Sequence, residues 1–91
     1  MRTLTFEMIS DSRFDGENFR EVGKERNDRV RELLGNIDGV ELEYDRALRY
    51  EFPTCEQVRQ RFYVKKTTRK LTWNDIMRIV NSVEAVPYTW R

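Results

Sequence analysis

The sequence contains no histidine, and this absence narrows the chemistry that the chain can support. Histidine is the commonest general base and the commonest metal ligand in proteins. The one cysteine, Cys55, therefore has no imidazole to activate it as a nucleophile. A single cysteine also forms no internal disulfide, which is typical of proteins in a reducing compartment. We predict that the protein is not an enzyme and that it needs no cofactor.

Long apolar runs are absent as well. No run approaches the ~20 residues that a membrane-spanning helix needs, and residues 1–11 lack the apolar centre of a secretory signal. We therefore predict a cytoplasmic protein that has no contact with a membrane. The length suits one modest core, so residues 1–91 are expected to form a single domain.

Three acidic residues follow the first predicted strand without forming a complete metal motif. Asp11, Asp15 and Glu17 lie in DSRFDGE, which begins like a calcium loop, but Arg13 stands where the second carboxylate ligand belongs. The same carboxylates would suit a magnesium ion at the end of the strand. Turn formation and helix capping account for them better, so we predict no metal site.

Hydrophobic periodicity predicts the first half of the fold. Residues 3–9 alternate between apolar and polar side chains, which predicts a strand. Apolar residues then recur at helical spacing, which predicts a helix over 16–34. Residues 40–52 alternate again, and only Arg46 interrupts the apolar side. This segment is predicted to be one long strand, or a hairpin that turns at 45–47.

The second half of the chain continues the pattern. A strand is predicted from Val58, and a helix is predicted after it, with Thr72 as N-cap and Asp75 completing a capping box. Residues 88–90 are predicted to form a short last strand. The resulting order is the ferredoxin-like βαββαβ arrangement, an α+β fold with an antiparallel sheet and two helices on one face. The residues expected to be buried together are Phe6, Leu42, Leu48, Phe62, Ile76 and Val80.

The segment VRQRFYVKKTTRK, residues 58–70, carries six basic residues and no acidic one. In one interpretation these bases serve the sheet. If the segment pairs with the preceding strand across the turn after residue 52, Glu51 lies opposite Arg59 and Asp45 lies opposite Lys65. Opposite-charge pairs of this kind stabilise neighbouring strands.

The other interpretation assigns the bases to a binding surface. In the same register Arg61 faces Arg49 rather than an acid, and three further bases run past the paired region. Tyr63 places an aromatic ring among them, a pattern typical of surfaces that hold single-stranded RNA. An RNA-recognition motif requires a Gly-aromatic pattern that RFYVKK lacks.

We therefore predict a small non-enzymatic binding protein of the inhibitor, adaptor or regulator type, whose partner is a protein with an acidic surface or a second copy of the chain. The alternative is an RNA- or DNA-binding protein that uses residues 58–70. A third hypothesis is a small metal-free ribonuclease that uses Arg61, Tyr63 and Lys65. Tyr88 and Trp90, near the end of the chain, either close the core or anchor the partner. The candidate partner-binding residues are Arg59, Arg61, Tyr63, Lys65, Lys66, Arg69, Lys70, Tyr88 and Trp90.

Overall fold

The computed structural model describes residues 3–83, and these form an α+β fold. Its helices and strands are β1 (Thr3–Asp11), α1 (Ser12–Asp15), α2 (Phe19–Gly35), β2 (Val40–Tyr44), β3 (Leu48–Glu51), β4 (Glu56–Lys66) and α3 (Trp73–Ser82). The four strands make one antiparallel sheet. None of the helices in this part of the chain is long and apolar enough to cross a membrane.

The sheet is organised around β4, which is its longest strand. β1 pairs with one side of β4 along nine residues, from Thr3 opposite Lys65 to Asp11 opposite Gln57. β2 and β3 follow one another along the other side of β4. The predicted ferredoxin-like order is wrong, because the segment expected to be one strand or a hairpin forms two strands that both pair with β4. The predicted strand at 88–90 lies outside the described residues.

Helices α2 and α3 pack on the same face of the sheet and bury one core. Phe6 and Phe62 stack at its centre with their ring centroids 5.2 Å apart. Of the predicted core residues, these two phenylalanines and the α3 residues Ile76 and Val80 are fully buried, while Leu42 is half-buried against them. The prediction for Leu48 is wrong, since that side chain is 44% exposed.

Local signals fix where the helices begin. The side chain of Thr72 accepts a hydrogen bond from the backbone N–H of Asp75 at 3.2 Å, and the Asp75 carboxylate accepts one from the Thr72 N–H at 3.1 Å, so the predicted capping box is confirmed. These two bonds lower the pKa of Asp75. The first long helix starts three residues later than predicted, because Gly16 ends α1 with a φ of +78°, outside the helical region.

A β-bulge separates β2 from β3. Tyr44 lies opposite Phe62, whereas Leu48 lies opposite Arg59, so four steps along the first chain match three steps along β4. One extra residue sends every later side chain to the other face of the sheet. The bulge is held by the backbone N–H of Asp45, which donates to the Arg61 carbonyl at 2.9 Å. The unbroken alternation predicted over 40–52 is therefore wrong beyond Tyr44.

Candidate functional site

The face of the sheet that points away from α2 and α3, called the open face below, gathers the side chains that sequence reasoning singled out. Along β4 every second side chain points to it, because side chains alternate along a strand. Cross-strand neighbours from the other three strands complete it. Its residues are Thr3, Thr5, Glu7, Ile9, Asp11, Glu41, Glu43, Leu48, Tyr50, Phe52, Gln57, Arg59, Arg61, Tyr63 and Lys65.

One end of the open face is apolar and aromatic. Leu48, Tyr50 and Phe52 are 44%, 37% and 43% exposed, and the rings of Tyr50 and Phe52 stack with their centroids 6.5 Å apart. The guanidinium group of Arg59 lies 4.5 Å from the Tyr50 ring centroid and 5.9 Å from that of Phe52. Its orientation is fixed by hydrogen bonds to the Gln57 side-chain carbonyl at 2.7 and 3.0 Å. We call Leu48, Tyr50, Phe52 and Arg59 the aromatic–arginine cluster.

The cluster replaces an ion pair that the sequence predicted. Glu51 lies opposite Glu56 and not opposite Arg59, because the register of β3 differs by three residues from the predicted one. An odd shift also exchanges the two faces of the strand. On β3 the cross-strand neighbour of Arg59 is Leu48.

Two residues of the basic stretch are bound within the sheet. Arg61 donates to the Glu7 carboxylate at 2.8 Å, and the Glu7 side chain is only 9% exposed. This bond raises the pKa of Arg61. The Tyr63 hydroxyl donates to the Asp45 carboxylate at 2.8 Å, which raises the pKa of Tyr63. The predicted opposition of Arg61 and Arg49 is wrong.

A small pocket of about 110 Å³ opens beside the aromatic–arginine cluster. Three arginines, two carboxylates and two apolar side chains line it: Arg46, Arg59, Arg61, Glu7, Asp45, Leu48 and Tyr50. Both carboxylates already accept hydrogen bonds, from Arg61 and Tyr63. Arg46 is exposed and makes no ion pair with any residue of the described range. The pocket can therefore accommodate a further carboxylate.

Lys65 and Lys66 point to opposite faces of the sheet. Lys65 lies on the open face opposite Glu41, so its predicted pairing with Asp45 is wrong. The Lys66 ammonium donates to the Leu71 carbonyl at 2.8 Å and lies 4.8 Å from the centroid of the Trp73 ring. Lys66 therefore fastens the end of β4 to the start of α3 and does not join the open face.

The remaining candidate residues are separate from the cluster. Arg69 and Lys70 lie exposed in the connection between β4 and α3, and within residues 3–83 their side chains make no ion pair. Tyr88 and Trp90 lie outside the described residues. The structure thus brings Arg59, Arg61, Tyr63 and Lys65 together, as the sequence predicted, and sets the later bases apart from them.

Sequence reasoning missed the apolar members of the site. The alternation predicted over 40–52 puts Leu48, Tyr50 and Phe52 on its apolar side, and it assigns Leu48 to the core. The available signal was Arg46, a charged residue at a position that the alternation assigns to the apolar side. Such an interruption is typical of a bulge, after which the two faces exchange.

The acidic residues after β1 serve the backbone and neighbouring side chains. The Asp11 carboxylate accepts hydrogen bonds from the Arg13 backbone N–H at 2.8 Å, from the Arg13 guanidinium group at 3.0 Å and from the Gln57 amide at 2.7 Å. Asp15 pairs with Arg26 at 2.8 Å. No cluster of potential metal ligands occurs between residues 3 and 83. The bonds from Arg13, followed by that from Gln57, hold the pKa of Asp11 well below its usual range.

Asp11→Asn is expected to lower the free energy of unfolding at pH 7 by about 1–3 kcal/mol, because a buried carboxylate with three donors becomes a neutral amide. The native pKa lies below the unfolded value of about 3.9. The carboxylate therefore stabilises the fold above about pH 4 and stops doing so as the pH falls through the native pKa. Urea unfolding across a pH series should show the two proteins converging in acid. Asp38→Asn, at an exposed position, is the control, and equal stability of Asp11→Asn and the parent at neutral pH would contradict the assignment.

No protein-family model, curated protein or solved structure matches this chain. Function is therefore inferred from the open face itself. Arg61, Tyr63 and Lys65, which would serve a metal-free ribonuclease, alternate along β4 on this face. Arg61 and Tyr63 are hydrogen-bonded within the sheet, to Glu7 and Asp45.

Proposed function

We propose that the protein is a non-enzymatic binding domain that contacts an acidic surface of a protein partner through the aromatic–arginine cluster and the pocket beside it. The observation that carries the proposal is the exposure of Tyr50 and Phe52 beneath the guanidinium group of Arg59. Tyrosine and arginine are enriched among the residues that dominate binding energy at protein interfaces. Stacking and the hydrogen bonds that Arg59 donates to the Gln57 side-chain carbonyl already order these side chains, so a partner loses little affinity in ordering them.

The chemistry of the pocket defines the partner further. The lining carries three guanidinium groups and two carboxylates, and Arg46 makes no ion pair within residues 3–83, so the pocket has capacity for one more negative group. Arginine suits this role because its planar fork binds carboxylates through two parallel bonds. Leu48 and Tyr50 border the same pocket. A partner segment that carries an Asp or Glu next to an apolar side chain fits both halves of the site.

Selection of random displayed peptides on the immobilised protein tests the proposal. We expect enrichment of sequences in which Asp or Glu adjoins an apolar residue. Tyr50→Ala and Arg59→Ala should each weaken the selected peptides at least roughly tenfold, as loss of a dominant interface residue does. Arg29→Ala is the matched control, since Arg29 pairs with Glu32 on the exposed surface of α2. Selected peptides that bind Tyr50→Ala and Arg59→Ala as tightly as the parent would overturn the proposal.

Nucleic-acid binding is the second candidate, and the exposed Arg69 and Lys70 support it. The acids Glu41 and Glu43 weigh against it, because they line the same depression as Lys65 and would repel phosphates there. Titration with random-sequence RNA and DNA oligonucleotides at several salt concentrations separates the candidates. Nanomolar binding at physiological salt, with a log–log salt slope that flattens by about one unit for each of these bases removed, would put nucleic acid first.

A further inference from the structure

The outer edge of β3 is a second surface, distinct from the side chains of the open face. β3 pairs with β4 along one side, and no strand of the described range pairs along its other side. All four of its residues are exposed. An unpaired edge presents a row of backbone donors and acceptors on which another strand can pair.

The hairpin geometry determines which backbone groups face this edge. The Phe52 N–H donates to the Cys55 carbonyl at 2.8 Å across the turn into β4. In an antiparallel ladder successive residues point alternately toward and away from the neighbouring strand. Tyr50 therefore points its backbone groups toward β4, as Phe52 does, while those of Arg49 and Glu51 point outward.

We infer that a second copy of the chain occupies this edge, with the two β3 strands antiparallel about a two-fold axis at Tyr50. Tyr50 then lies opposite Tyr50 of the second copy, and Arg49 lies opposite Glu51 of the second copy on both sides of the axis. The outward backbone groups of Arg49 and Glu51 form the hydrogen-bonded pairs, four bonds in all. The two sheets join into one.

Charge complementarity selects both the occupant and the register. Arg49 and Glu51 lie on the same face of β3, two residues apart. Within one chain the Arg49 guanidinium group lies 3.7 Å from the Glu51 carboxylate and 3.3 Å from the Glu56 carboxylate, and the side chains of Arg49 and Glu51 still remain 49% and 71% exposed. Pairing about Tyr50 sets each of them against its opposite charge. Pairing about either neighbouring residue sets arginine against arginine or glutamate against glutamate, and like charges directly opposite destabilise a sheet.

The residues at the two ends of β3 are compatible with this register, because pairing stops there. Pro53, which has no backbone N–H to donate, follows Phe52 and falls opposite Ala47 of the second copy, where the bulge begins. On the open face Leu48 lies opposite Phe52 of the second copy, so the apolar stripes of both clusters merge. The inference goes beyond the proposed function, because it depends on the edge and on Arg49 and Glu51, which do not belong to the open face.

Charge reversal tests the register in solution by sedimentation velocity from micromolar to millimolar concentration. The parent should dimerise reversibly, while Arg49→Glu and Glu51→Arg should each weaken self-association at least roughly tenfold, because each sets like charges opposite. An equimolar mixture of these two variants restores both attractive pairs and should associate like the parent. The double variant Arg49→Glu/Glu51→Arg should do so alone.

Cysteine substitution tests the axis independently. In a Cys55→Ala background, Tyr50→Cys places two thiols at a non-hydrogen-bonded pair with Cα atoms about 4.5 Å apart, within the range of a disulfide. Oxidised glutathione should then give a covalent dimer. Leu48→Cys, whose opposite residue is Phe52 of the second copy, is the matched control and should give much less.

A parent chain that stays monomeric at millimolar concentration would overturn the inference. Equal self-association of the parent and the charge-reversal variants would also overturn it. So would a disulfide yield from Leu48→Cys as high as that from Tyr50→Cys. The outcomes of the charge-reversal series do not bear on the proposed function, since Arg49 and Glu51 lie on the face opposite the peptide site. Conversely, loss of peptide binding in Arg59→Ala with an unchanged dimer would separate the two surfaces.

Discussion

Replacing Phe62 by alanine is expected to lower the free energy of unfolding by about 3–5 kcal/mol, the usual loss for a large buried aromatic. Phe62 is fully buried at the centre of β4, stacks on Phe6 and contacts the Tyr44 ring at 5.8 Å between centroids. A single domain has only about 5–15 kcal/mol of stability in total. The variant should therefore be marginally folded, which equilibrium urea unfolding at 25 °C will show.

Phe52→Ala is the matched control, since it makes the same chemical change on the open face. Phe52 is 43% exposed, so its loss should cost less than about 1 kcal/mol. An unbroken alternation from residue 40 to residue 52 would place Phe52 in the core and would predict a loss as large as that of Phe62. Equal losses in the two variants would therefore contradict the bulge.

The parts of the fold that local signals specify could be predicted from the sequence. The alternation of β1, the capping box of Thr72 and Asp75 and the apolar side of α3 each depend on residues within a few positions of one another. The strand order could not be predicted in the same way. It depends on which edges pair: β4 pairs on one side with β1, which is far away in the chain, and on the other side with both β2 and β3.

The site shows the same division. Alternation along β4 alone predicts which side chains share one face: Arg59, Arg61, Tyr63 and Lys65. Their partners do not follow, because a pairing partner requires the register: Glu7, which binds Arg61, comes from β1 and lies 54 residues away in sequence. The bulge also moves the side chains that follow it to the other face of the sheet, and a strictly alternating pattern does not predict this change. The exposure of Leu48, Tyr50 and Phe52 is a consequence of that one inserted residue.

Gly39→Ala is expected to destabilise the protein by roughly 2–4 kcal/mol through two separate effects. Gly39 precedes β2 with a φ of +86°, in the left-handed region that residues with a side chain rarely adopt. An added Cβ would also overlap the Thr68 methyl group and approach the Thr68 Cβ to 3.0 Å. The Thr67 N–H donates to the Gly39 carbonyl at 2.7 Å, so this turn also anchors the segment that follows β4. Thermal and urea unfolding should both register the loss.

Two further variants separate the steric overlap from the backbone strain at Gly39. Gly35→Ala, at a position where a Cβ meets nothing within 4 Å, should leave stability unchanged or raise it by up to ~1 kcal/mol. Thr68→Gly added to Gly39→Ala should remove the overlap and leave the backbone strain, so a double-mutant cycle gives the two parts separately. Full stability of Gly39→Ala would mean that the turn adopts a different backbone conformation.

The Gly39 variant also bears on function, because Arg69 and Lys70 lie in the segment that this turn holds, whereas Arg59 does not. Peptide binding at the aromatic–arginine cluster should be unchanged per folded molecule of Gly39→Ala. If the exposed bases of the segment bound nucleic acid, the same variant would weaken oligonucleotide binding at equal folded concentration. Measuring both ligands on this one variant therefore separates the two candidate functions without altering any residue of either surface.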